Sequence, residues 1–165
     1  MTPEEEYARI LEQNERFAEA FDRSALTAAP LTGLAILTCM DARILVEDAL
    51  GLRVGDAHII RNAGGLASDD AIRSLIVSQQ LLGTREIVVI GHTMCGLQGA
   101  SEQDLRERVE LSTGTATELG FGAFEDLDAM VGEQVEVLRD EPGLLDVPVH
   151  GLIYDVETGR LRQVV

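Results

Sequence analysis

Three side chains in this chain have the chemistry of a metal site. Cys39 and Cys95 are its two cysteines, and His92 precedes Cys95 in a His-x-x-Cys spacing. Zinc accepts thiolate sulfur and imidazole nitrogen in a tetrahedral shell. Two thiolates and one imidazole leave a fourth position for water, which marks a catalytic rather than a structural site. An isolated His-x-x-Cys is a weak signal, but here it accompanies a Cys-x-Asp-x-Arg motif at Cys39, Asp41 and Arg43. A carboxylate so close to a thiolate needs its charge paired, and Arg43 can grip Asp41 through a two-pronged hydrogen bond. Held in this way, Asp41 could orient the water. Released, it could swing onto the metal as a fourth ligand and close the site. The competing reading makes Asp41 the N-cap of a helix that begins at Ala42; beside Cys39, the catalytic role is preferred.

For these residues to meet, two distant loops must be neighbours. The first follows residues 34–38, an apolar run that reads as a buried strand; the second follows residues 86–90 (EIVVI), another such strand. Between them, residues 42–50 read as a helix ended by Gly51, 57–61 as a strand, and 62–65 (NAGG) as a turn. Ser68 caps a helix running to about Leu82, with Gly83 at its end. Strands alternating with helices predict an α/β fold, a central mostly parallel sheet flanked by helices. Active sites in such sheets form beyond the carboxyl ends of the strands, where both loops would lie. Gly91 and Gly96 are expected to let the His-x-x-Cys turn bend. Residues 101–111 read as a helix, 112–122 as a Gly/Thr-rich connection, and 124–138 as a further helix. Residues 149–156 and 161–164 form a C-terminal β-hairpin around Glu157-Thr158-Gly159. At the other end, residues 3–21 read as a helix with Thr2 and Glu5 in a capping box and Pro3 in its first turn. Tyr7, Ile10, Leu11, Phe17, Ala18 and Phe21 make its apolar stripe. This helix lies outside the alternating pattern, so the stripe packs either on its own domain or on a partner subunit.

The 165 residues fit one domain spanning 1–165, with 1–22 as an N-terminal helical arm. A chain of this size buries about two thirds of its unfolded surface and needs no disulfide staples. Its formal net charge of -16 repels phosphate backbones and anionic bilayers, so neither nucleic acid nor membrane is expected as a partner. All 13 basic residues are arginine, which excludes lysine Schiff-base and phosphate-loop chemistry. No apolar run approaches the roughly 20 residues that span a bilayer. The acidic start MTPEEEYARI lacks a signal-peptide pattern, so a cytoplasmic protein with reduced cysteines is expected. His58, inside a strand, and His150, at a strand start, read as structural residues rather than proton shuttles. The NAGG turn, with Gly64 and Gly65, reads either as a plain turn or as backbone N–H groups presented to a small anionic substrate. Residues 102–110 read as a solvated helix face.

CMDAR, then GDAHIIRNAGG, then GHTMCG, in that order, resemble the β-class carbonic anhydrase family, and HGLIYDVETGRL is similar to that family's final hairpin. The short chain resembles the compact prokaryotic members. The resemblance implies one Zn2+ per subunit at Cys39, His92 and Cys95, and an Asp41–Arg43 dyad. It implies a lyase that reversibly hydrates carbon dioxide to bicarbonate and a proton through zinc-bound hydroxide. It also implies a homodimer or homotetramer, with the N-terminal helix crossing onto the partner. Met94 stands where many relatives carry aspartate, a departure that affects hydrogen bonding around the ligands rather than the ligands themselves. Two alternatives stay open. One is a carbonyl sulfide or carbon disulfide hydrolase using the same zinc. The other is a non-enzymatic zinc or thiol sensor, with either a closed four-ligand shell or a Cys39–Cys95 disulfide.

Overall fold

The structure is a computed structural model that describes residues 2–165; Met1, the first residue of the expected arm, lies outside the described residues. In chain order the elements are α1 (Pro3–Glu19), β1 (Leu34–Cys39), α2 (Val46–Leu50), β2 (Ala57–Asn62), α3 (Asp69–Leu82), β3 (Glu86–His92), α4 (Glu102–Thr113), α5 (Leu127–Asp140), β4 (Val149–Tyr154) and β5 (Leu161–Gln163). Among the described residues the strands form one five-stranded sheet in the order β2-β1-β3-β4-β5. The first four are parallel, and β5 turns back antiparallel to β4.

Alternation along β1 and β3 sends successive side chains to opposite faces of the sheet. Ala35, Leu37, Ile87 and Val89 pack against Ala71 and Leu75 of α3 and Val135 and Leu138 of α5. Ile36 and Ile90 pack on the other face with Ile44 and Val46. Both faces are covered, which is why these strands read as unbroken apolar runs. Gly91 lets α5 approach: a Cβ there would lie 2.6 Å from Val131 Cγ2.

Several local readings are corrected. The helix expected over 42–50 is confined to Val46–Leu50, capped by Leu45 without a side-chain bond. Residues 41–44 form a turn closed by the Ile44 N–H on the Asp41 carbonyl, and the Arg61 guanidinium holds the Asp41 and Ile44 carbonyls in it. The third strand continues to His92 and the fourth stops at Tyr154. There Asp155 accepts the N–H groups of Glu157 and Thr158 and turns the chain. The helix expected from 124 starts at Leu127, capped by Asp126. The capping box on α1 and the Ser68 cap on α3 are present as expected.

Candidate metal centre

Parallel pairing in register brings the two loops together. Thr38 lies opposite Ile90 in the β1–β3 ladder, so Cys39 ends one strand beside the end of the other, where His92 is the last residue. Cys95 follows three residues later in a tight turn. The three residues are buried, and their ligand atoms all lie within 4.8 Å of one another. Both cysteines are free thiols.

The hydrogen bonding identifies the free lone pair. His92 Nδ1 is 2.9 Å from the Thr93 carbonyl, which only an N–H can satisfy, so Nε2 carries the lone pair. That Nε2 is buried and has no hydrogen-bond partner. A buried polar atom left unpaired is costly unless something binds it, and here it sits beside two thiols. Two sulfurs and a nitrogen suit zinc. Burial keeps the imidazole neutral by pushing its pKa down, and burial with Cys39 close by pushes the Cys95 thiol up. The residues present fit a zinc ion that would draw off the thiol protons.

Asp41 lies at the rim. Its Oδ2 is 3.9 Å from His92 Nε2 and accepts from Arg43 Nη2 at 2.6 Å, while Oδ1 accepts from Arg43 Nε and the Arg43 backbone N–H, both at 2.9 Å. The Arg43 side chain, with its backbone N–H second, holds this carboxyl well below the usual carboxylate range. The Arg43 fork thus forms as its spacing suggested. The capping alternative is replaced by a local turn, since the Asp41 side chain caps no helix.

The bend of the His-x-x-Cys turn does not use its glycines. Met94 takes the left-handed conformation, with φ 55°, and its carbonyl accepts from Arg43 Nη2 at 3.0 Å. Arg43 therefore ties the two ligand loops together. Gly64 and Gly65 are buried in a single 3₁₀ turn, Ala63–Gly65, closed by the Asn62 amide on both backbone groups of Leu66. Gly65 has φ 68°, and a Cβ there would stand 2.9 Å from Thr38 C and 3.0 Å from Cys39 N, so the turn abuts the first ligand.

Arg61 escaped the sequence reading. Its guanidinium donates to the carbonyls of Cys39, Asp41 and Ile44 at 3.0, 2.7 and 3.2 Å, clamping the whole first loop. An arginine in the apolar run HIIRN was the available signal. The other histidines lie apart. Both ring nitrogens of His58 are engaged, by Ser78 Oγ and the Ala28 carbonyl, and His150 pairs with Glu86 at the opposite end of the strands. Helix α4 buries none of its residues.

A family model described as carbonic anhydrase matches residues 34–119. β-Carbonic anhydrase 1 of Mycobacterium tuberculosis is 36% identical over 165 residues, covering 99% of each chain. The chain belongs to the β-carbonic anhydrase family. A crystal structure of carbonic anhydrase from Streptococcus mutans superposes with a TM-score of 0.92 at 40% identity, over 96% of this chain and 97% of that one. A carbon disulfide hydrolase of Acidithiobacillus thiooxidans is 39% identical over 148 residues, covering 77% of this chain and 74% of its own. β-Carbonic anhydrases are zinc enzymes, and Cys39, His92 and Cys95 are a group of this member that could hold such an ion.

Proposed function

We propose that the chain is a zinc-dependent carbonic anhydrase, reversibly converting carbon dioxide and water to bicarbonate and a proton. The observation that carries this is the buried Cys39–His92–Cys95 group with its unpartnered Nε2, in a chain of this family. When bound, zinc supplies a Lewis acid that makes water nucleophilic near neutral pH. Cys39 and Cys95 would hold it through sulfur and His92 through Nε2. Asp41, ionised and fixed by Arg43, accepts a proton-side hydrogen bond at the rim and orients the attacking water. With both carboxylate oxygens held by the Arg43 fork, Asp41 would join the ligands only if that fork broke. Gly64 and Gly65 would offer their backbone N–H groups to the substrate anion; the packing of Gly65 against Thr38 and Cys39 supports this.

The test is stopped-flow carbon dioxide hydration with metal analysis. The zinc-loaded chain is expected to be active with one zinc per chain, and Cys39→Ser to lose both metal and activity. A Cys39→Ser protein with full zinc and full rate would end this reading. The likeness to a carbon disulfide hydrolase supports a second substrate reading, and the same assay with carbonyl sulfide and carbon disulfide decides it.

The assembly proposed is a homodimer, or a homotetramer built from it, with the 1–22 arm lying on the partner. Helix α1 buries none of its residues, and Tyr7, Ile10, Leu11 and Phe17 are all more than half exposed. A groove of about 660 Å³ offers a seat in which Leu26, Leu31, Leu45, Leu52 and Val54 are apolar and the rest of the lining, such as Glu47 and Arg53, is largely charged. No helix among the described residues is long and apolar enough to cross a membrane. The proposed location is the cytoplasm, where the two thiol ligands stay reduced.

A further inference from the structure

The second ligand loop is fastened to the C-terminal hairpin at one residue that supplies no ligand. The backbone N–H of Thr93 donates to the Tyr154 carbonyl at 3.0 Å. Its hydroxyl oxygen accepts the Val156 N–H at 3.1 Å. Its own carbonyl accepts from His92 Nδ1 at 2.9 Å. His92 lies opposite Tyr154 in the β3–β4 ladder, so these bonds continue that pairing one residue past the end of both strands. The carbonyl bond decides the tautomer of His92 and fixes the tilt of its ring. The other two bonds hold the residue that carries this carbonyl against an element outside the site.

We propose that Thr93 is a positioning residue for the metal. Its hydroxyl locks the His92–Cys95 loop onto the hairpin and so keeps the Thr93 carbonyl where it holds His92 Nε2 close to the two sulfurs. This rests on the metal-site reading above. Partners that orient a metal-bound histidine typically contribute 10–100-fold to metal affinity, and here that contribution passes through a side chain one step further out. Valine at this position keeps the shape and deletes the acceptor, leaving the Val156 N–H unpaired. Serine keeps the acceptor.

The experiment uses the full zinc-loaded chain and its Thr93→Val and Thr93→Ser variants. Zinc affinity is measured by competition with a chromogenic chelator, and ligand geometry by the visible absorption bands of the Co2+-substituted proteins. Thr93→Val is expected to bind zinc about tenfold more weakly or worse and to shift the Co2+ bands; Thr93→Ser restores the wild-type affinity and spectrum. A Thr93→Val protein with wild-type affinity and bands overturns the inference, even if it melts at a lower temperature, because the residue would then merely join two loops. A Thr93→Ser protein as weak as Thr93→Val overturns the role of the hydroxyl. If the valine variant does not fold, the same two readouts on Thr93→Ala decide the matter. Wild-type protein that takes up no zinc would overturn the metal centre itself, whereas an unchanged variant beside a fully loaded wild type overturns this inference alone.

Discussion

The Asp41 carboxylate stands between a guanidinium and a metal site. Its Oδ2 is held by Arg43 Nη2 at 2.6 Å while lying 3.9 Å from the nitrogen that His92 offers to zinc. Arg43 thereby holds Asp41 at the rim. Arg43→Gln and Asp41→Asn should each keep one zinc per chain and lower kcat by about 100-fold, the loss expected when a reacting group is misplaced by an ångström. Metal analysis beside stopped-flow kinetics checks this, and an unchanged kcat in both would remove the pair from the mechanism. Protonation acts at the neighbouring ligands. Burial, with Cys39 adjacent, raises the Cys95 thiol above its ordinary value, so the metal-free protein keeps that proton at neutral pH. Burial lowers His92, so the imidazole is already neutral and releases nothing. Zinc must therefore displace thiol protons, and acid favours the protonated, metal-free form. Apparent zinc affinity is expected to rise with pH across the range 6–8, with release of the Cys95 proton on binding. Titration calorimetry in buffers of different ionisation enthalpy reads that release, and pH-independent affinity would show that the thiols are not the ligands.

The elements matter here through what ties their ends. The first ligand loop is not a helix start, and Arg61 on the adjacent strand holds three of its carbonyls. Arg61→Gln should destabilise the protein by about 2 kcal/mol, the scale of a lost hydrogen bond to a charged group, or roughly 4–8 °C in Tm. Gly65→Ala should do at least as much: the left-handed backbone alone costs about 1–2 kcal/mol with a side chain, and the new Cβ meets the Thr38 backbone. Thermal unfolding checks both, and a neutral Arg61→Gln would deny the clamp. This loop also shows where sequence reasoning stops. The strands, their mostly parallel pairing and the meeting of Cys39 with His92 and Cys95 were legible, because apolar runs and loop position follow from local pattern, whereas the strand order β2-β1-β3-β4-β5 was not. Nor was the turn at residues 41–44, which is held by a guanidinium 17 to 20 positions away. Likewise the bend after His92 was attributed to glycines, whereas it falls on Met94, whose carbonyl is wanted by Arg43. Gly91 instead makes room for Val131, a contact that no local pattern encodes.

At the scale of the molecule, α1 is a well-capped helix that buries none of its described residues. Its capping box and acidic first turn favour the helix locally. A helix of 17 residues is nevertheless marginal in water without tertiary contacts, and its apolar stripe is exposed. The stripe and the groove around Leu31 and Val54 are therefore expected to be buried together between two copies. Each copy carries a formal charge of -16, so the copies repel while their apolar faces attract. Salt shortens the range of that repulsion, from about 30 Å at 0.01 M to about 8 Å at 0.15 M, and leaves apolar burial in place. Association should consequently tighten as salt rises over this range, opposite to an assembly held by ion pairs. Light scattering and sedimentation on the full chain are expected to show a dimer or larger species whose dissociation constant falls with added salt. Deleting residues 1–22 should give a monomer of unchanged fold, because α1 buries no residue of its own in the sheet domain. A full chain that stays monomeric at micromolar concentration, or an assembly that survives the deletion intact, would remove the arm from the interface. The arm's apolar stripe would then need a different partner.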